Sequence, residues 1–188
     1  MNRSLLPTIA AFFFASAAHA GVTIHYEGYA ASTGAVSQVI TVATAFAAKR
    51  GWKIEDASAE RGKLERVMDE KDKDYAGKIT GIVIYPHEKC EPLHIQFGDD
   101  LFMQDYVKTQ FAGATLHLDI IAFFDELKPC FRKLDILDEG DYWETRDRAV
   151  LEKHIATVNK VIEDIKKRKP DAKGAVILPS RRIADVIE

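Results

Sequence analysis

The sequence predicts an α+β fold: an antiparallel or mixed sheet with about three helices packed mainly on one face. Three observations carry this expectation. Short segments alternate apolar and polar residues with period two, clearest at Val22–Glu27 and Leu93–Phe97. Three longer segments place apolar residues at helical spacing. The two kinds follow one another as strand, helix, strands, helix, strand, helix, with no internal repeat and no linker to divide the chain.

The elements follow in order. Val22, Ile24 and Tyr26 share one face of a first strand, with His25 and Glu27 on the other, and the small residues from Gly28 to Gly34 make a turn. Val36, Val39, Ile40, Ala43 and Phe46 line one side of a first helix, which Gly51 ends as a glycine just past a helix terminus does. Trp52–Ala57 fits a short strand. Residues 60–78 are mostly charged and fit a strand followed by a polar turn at Asp69–Asp74, with the charges on a solvated face. Ile79, Ile82, Val83 and Ile84 are apolar on both parities, as in a strand covered on both sides, and Pro86 stops it. Leu93, Ile95 and Phe97 form the next strand, antiparallel across the 86–92 loop. Phe102–Phe111 is a further strand or an irregular arm. Leu116, Ile120, Phe123, Phe124, Leu127 and Phe131 define a second helix ending near Pro129, and Lys133–Leu137 returns to strand. The third helix carries Leu151, Ile155, Val158, Ile162 and Ile165 on one stripe, is capped by Thr145 or Asp147, and has cations in its last turn before Pro170. The tail 171–188 holds short apolar pieces that either dock loosely or fray.

The first twenty residues are expected to be a cleavable secretory signal. Arg3 precedes an apolar run from Leu5 to Ala18, and Ala18-His19-Ala20 stands before Gly21 as an A-x-A exit, which places cleavage between Ala20 and Gly21. The apolar run, as a helix, is ~21 Å long, short of a ~30 Å hydrocarbon core. Residues 21–188 then form a single globular domain, periplasmic or secreted, and no later segment is long and apolar enough for membrane insertion. The formal net charge is −3 and becomes more negative when Arg3 leaves. A mildly acidic chain lacks the basic footprint that nucleic acid or an anionic membrane surface demands.

Several residue sets carry chemistry worth placing. His87, Cys90, Glu91 and His94 crowd one loop and offer ligands for zinc or another transition metal, although H-x₂-C-x₃-H is not a usual zinc spacing. Cys90 competes for a second role: an exported chain with only Cys90 and Cys130 invites a disulfide between them, which would take the thiolate from a metal. A Cys90 nucleophile would draw on His87 or His94 as base, but the cysteine lies at no helix N-terminus and in no catalytic signature. There is no G-x-S-x-G elbow, no phosphate loop and no H-E-x-x-H. Asp99 and Asp100 follow one strand. Asp141, Tyr142, Trp143 and Glu144 follow another, where Asp141 and Glu144 have capping-box spacing. Aromatics such as Tyr142 and Trp143 inside an acidic loop are the residue types that anchor partner interfaces. His117 and His154 read as histidines satisfied within helices.

No catalytic set emerges. The expectation is therefore a non-catalytic binding or interaction protein, of inhibitor or immunity type, that offers Tyr142, Trp143, Asp141, Glu144, Asp99 and Asp100 to a protein or small-ligand partner. The alternative is a metal-binding protein or metal-dependent hydrolase built on the loop from His87 to His94.

Overall fold

The computed structural model describes residues 21–68 and 70–187, so the expected signal lies outside the described residues. These form four α-helices and eleven strands, every strand pair antiparallel. Strand β1 (Thr23–Ala30) is the centre of a three-stranded sheet, flanked by β8 (Phe102–Lys108) and β9 (Phe131–Asp138). A second sheet is built on the long β6 (Tyr75–Tyr85). It pairs with β2 (Lys53–Asp56) and then β3 (Ala59–Leu64) in succession, and with β7 (Leu93–Phe97). Of the strand or irregular arm expected over Phe102–Phe111, the part to Lys108 is a strand.

One face of these sheets is apolar because every second residue is. Ile24 and Tyr26 of β1, Ile82 and Ile84 of β6, Leu93 and Ile95 of β7, and Met103 and Val107 of β8 join one buried cluster. Helix α1 (Thr33–Lys49) and helix α2 (Ala114–Leu127) supply the rest of that cluster, including Val39, Phe46, Ile120, Phe123 and Phe124. Phe46 and Phe124 each meet Phe123 edge-on at 5.3 Å between ring centres, an arrangement aromatic quadrupoles favour. Ser32 caps α1 by accepting the Ala35 N–H at 3.1 Å, and Gly51 takes φ +68° just beyond its end. Pro129 ends the second helix in a short 3₁₀ turn, so Phe131 begins β9 and does not continue the helix.

Helix α4 (Arg148–Arg168) starts at Asp147, whose carboxylate accepts the Ala149 N–H. It packs against α2, burying only Leu151 and Ile162 of its expected stripe. The charged 66–74 segment contains a small ladder, β4 (Val67–Met68) with β5 (Lys71–Asp72), and residues 142–145 form a single helical turn, α3 (Tyr142–Thr145). The tail makes a hairpin, β10 (Lys173–Ile177) with β11 (Ile183–Ile187).

Strands β7 and β8 lie side by side with no backbone ladder between them. Side chains serve their facing edges. Tyr26 Oη accepts the His94 N–H at 3.0 Å and donates to the His94 carbonyl at 3.3 Å. On the β8 edge, Arg66 donates to the Phe102 carbonyl and Arg182 to the Tyr106 carbonyl, each at 2.8 Å. Glu91 accepts the Lys108 N–H at 3.0 Å. This edge is closed, as buried backbone groups require.

Candidate functional site

The sheet β8-β1-β9 has one face against the helices and the other open. On the open face, the register makes three cross-strand rows: Tyr106–His25–Leu137, Gln104–Glu27–Asp135 and Phe102–Tyr29–Lys133. The last two rows are partly roofed. Gln104 accepts the Val67 N–H and donates to the Val67 carbonyl and to Glu27, which ties the β4–β5 ladder across the sheet. Arg66, 4% exposed, makes a bidentate pair with Asp100 and lies over the Tyr75 and Phe102 rings. The first row carries exposed apolar and aromatic side chains. Leu137 is 51% exposed and Tyr106 38%, with the His25 ring 5.7 Å from that of Tyr106. Arg182 spreads its guanidinium over Tyr106 at 4.0 Å.

Glu139 joins this row to the acidic 138–144 turn, standing 3.7 Å from His25 and accepting the Thr23 N–H. Beneath the turn lies a buried chain of hydrogen bonds: Thr109 Oγ1 to His117 Nδ1 at 2.8 Å, and His117 Nε2 to Asp138 at 3.1 Å. Asp138 also accepts the N–H groups of Gly140 and Trp143 at 2.7 and 2.9 Å. Burial raises the Asp138 carboxyl. The hydrogen bond and charge of His117 and the two N–H groups outweigh it and hold the carboxyl below its ordinary value. The order hydroxyl, imidazole, carboxylate resembles a catalytic triad, but Thr109 and His117 are 0% exposed, so the chain of bonds has no opening to a substrate. Its role is to fix the turn.

That turn carries the predicted aromatics. Asp141 and Arg146, at its two ends, both adopt left-handed φ, 56° and 54°, which non-glycine residues adopt only when their surroundings hold them there. Arg146 is held by a bidentate pair with Asp125. Tyr142 and Trp143 are half-buried against the core, with Trp143 between Lys128 at 5.7 Å and Arg146 at 4.7 Å. Asp141 does not cap the turn through its side chain; it pairs with His154 at 3.0 Å. Glu144 is exposed, its carboxyl raised by partial burial and by the nearby Asp138 and Asp141. Asp99 is exposed and donates its backbone N–H to Tyr75 Oη, whereas Asp100 is committed to Arg66. The predicted set therefore does not form one patch.

Nor do His87, Cys90, Glu91 and His94 converge on a point. Glu91, 1% exposed, accepts the N–H groups of Lys108 and Ile183. His94 is paired with Asp105 at 2.5 Å, and Arg182 bridges Asp105 to Glu91. Burial pushes the Cys90 thiol up, away from the thiolate a metal or an electrophile needs. Among the described residues, no group of three or more His, Cys, Asp or Glu side chains is placed to hold a metal ion. The expected Cys90–Cys130 disulfide is also absent: both cysteines are free and buried, each a small apolar group of the core. A cavity of about 150 Å³ remains between this loop and the hairpin, lined by Tyr85, His87, Cys90, Ile177 and Arg181 among others.

The sequence places His25 and Glu27 together on the second face of the first strand, but nothing in it singles out Tyr106 or Leu137. Lys133, Asp135 and Leu137 alternate with Leu134 and Ile136, but only strand pairing shows that Leu137 shares a row with His25 and Tyr106. Compared with known protein families, curated proteins and solved structures, the chain matches none.

Proposed function

We propose that this chain is a non-catalytic binding protein of the cell envelope or exterior, exported by its N-terminal signal, that grips a protein partner on the open face of β8-β1-β9. The observation that carries the reading is the exposed row Tyr106–His25–Leu137. Antiparallel sheets with one face in water normally show polar residues there, and an exposed Leu and Tyr flanking a His on a rigid strand row are the residue types of an interface centre. Glu139 and the exposed acids Asp141 and Glu144 form an acidic border where this face meets the turn, which suits a partner with a basic rim, as for an inhibitor or immunity-type protein. Tyr142 and Trp143 shape that border from below.

The test is photocrosslinking in the producing cell, with a photoreactive phenylalanine placed at Tyr106, at Leu137, or at Val161 on α4. Val161 is equally exposed, at 41%, but belongs to the helical layer. A discrete heteromeric adduct from positions 106 and 137, absent from 161 and lost from 106 when Leu137→Asp is added, is the expected result. Equal labelling at all three positions, or none, would refute the assignment.

A further inference from the structure

We infer that removal of the first twenty residues completes a lock, in which the ammonium created on Gly21 pairs with Asp185 and fastens the C-terminal hairpin over the edge of β8. This rests on the export signal of the proposed function and goes beyond its binding face.

The chain enters the domain at a fixed point. Val22 is 1% exposed, its N–H donates to Gln110 Oε1 at 2.7 Å, and its carbonyl accepts the Thr109 N–H at 3.1 Å. Gly21 is thereby held against the Lys108 side chain: a Cβ on it would stand 2.9 Å from Lys108 Cε and 3.3 Å from Nζ. The Gly21 nitrogen is bonded to the same α-carbon, so it lies within about 6 Å of that Nζ. Lys108 Nζ in turn donates to Asp185 Oδ2 at 2.8 Å and to the Ile183 carbonyl at 3.1 Å. The Asp185 side chain is 10% exposed, and its second oxygen, Oδ1, is buried with no hydrogen-bond partner among the described residues. A buried carboxylate oxygen left unbonded is costly, and Lys108 already serves the other one.

Cleavage supplies the donor. Within the uncut chain the Gly21 nitrogen is an uncharged amide. Hydrolysis of the Ala20–Gly21 bond adds one water and leaves a carboxylate on Ala20 and an amine on Gly21. That amine takes up the released proton, because an α-amine has a pKa of about 8. Asp185 then accepts one ammonium on each oxygen, Lys108 on Oδ2 and Gly21 on Oδ1. Glu91, whose carboxylate takes the N–H groups of Lys108 and Ile183, offsets the second cation. The consequence falls on the hairpin. Of β10 and β11 only Ile183 is buried, so its hold on the sheet is largely polar: Lys108 to Asp185, the Ile183 N–H to Glu91 at 2.7 Å, and Arg182 to the Tyr106 carbonyl at 2.8 Å. Arg182, one residue before β11, is also the group that lies over the Tyr106 ring. Fastening Asp185 therefore sets one end of the binding row, and does so only in the cut chain.

The experiment is hydrogen exchange of residues 173–187 in the mature chain, in the same chain carrying an acetyl group on the Gly21 amine, and in a chain that keeps Ala20, which moves the ammonium by ~3.8 Å. Both changes should speed exchange of the hairpin amides about tenfold and leave those of β6 and β7 unchanged. With Asp185→Asn in place, neither change should have a further effect. If that substitution frees the hairpin by itself, the carboxyl carbon resonance of Asp185 in the unsubstituted chain gives the reading, and it should shift on acetylation. Equal exchange in the three chains, or an unmoved resonance, would overturn the inference and assign Oδ1 to a water shared with Gln110 Nε2, which is also buried and unpartnered among the described residues. The mass of the chain recovered from the producing cell separates the two readings. A chain cut at another bond, or cut before Gly21 with no effect on exchange, refutes the lock alone, while a chain that keeps its first twenty residues refutes the export signal with it.

Discussion

Replacing Asp138 by Ala removes one side chain and strands several partners. Its two oxygens receive the N–H of Gly140 at 2.7 Å, the N–H of Trp143 at 2.9 Å and His117 Nε2 at 3.1 Å, all around a carboxylate that is 0% exposed. Leaving a buried donor unsatisfied costs about 1–3 kcal/mol, and breaking a buried charged pair from one side costs about 3–5 kcal/mol. These overlap, so Asp138→Ala should lose about 4 kcal/mol, a large share of the roughly 5–15 kcal/mol that domains possess. Asp138→Asn should lose less, about 1–3 kcal/mol, because either amide orientation still sets an NH₂ against a backbone or imidazole donor. The assay is urea denaturation followed by tryptophan fluorescence, with an unchanged slope confirming a change in stability alone. The pH dependence follows from the sign of the shift. The folded carboxyl is held below its ordinary value, so its contribution is complete above the ordinary carboxylate range and is lost as pH falls through the folded pKa. The wild type should therefore lose stability on acidification more steeply than Asp138→Asn does. An Asp138→Ala protein within about 1 kcal/mol of the wild type, or parallel pH profiles, would show that the buried chain of bonds does not hold the turn.

Gly81→Ala should destabilise by about 1–3 kcal/mol or more, since a Cβ there would lie 2.2 Å from the Ile95 carbonyl oxygen and 2.7 Å from Gln96 Cα, both backbone atoms of the paired strand; thermal denaturation reads it. Titration of the native protein with a thiol reagent should find Cys90 unreactive until urea unfolds the chain, and the intact mass should correspond to two free thiols. Rapid labelling of Cys90 in the native state, or a mass two daltons low, would contradict that prediction.

The fold was legible in the sequence wherever burial enforces a period. The β1 and β7 alternations and the α1 and α4 stripes sit within a few residues of the observed elements because water is excluded from one side of each. The sequence was opaque where charge does structural work at long range. Arg66 lies in a run that reads as a solvated face, yet it is buried, because Asp100 and the Phe102 carbonyl, more than thirty residues away, replace its water. Glu91 and His94 read as metal ligands because their chemistry suits a metal equally well; the distant Ile183 N–H and the Asp105 carboxylate claim them first. His117 was read correctly as a satisfied helix histidine, but not as the bridge from Thr109 to Asp138.

The same asymmetry separates the acidic turn from the open sheet face. Tyr142 and Trp143 have the composition of an anchor, but the backbone N–H of Trp143 is bound to Asp138 and both rings rest on the core, so a partner gains only their outer edges. Leu137 has no such commitment. It is exposed because its strand neighbours Leu134 and Ile136 already occupy the inner face, and a period-two strand must turn the intervening residue outward. A solvated outward position needs no leucine, and a polar residue there would lose nothing from the core. The core places no demand on Leu137, and under the proposed binding reading a partner on the open sheet would bury it beside His25 and Tyr106.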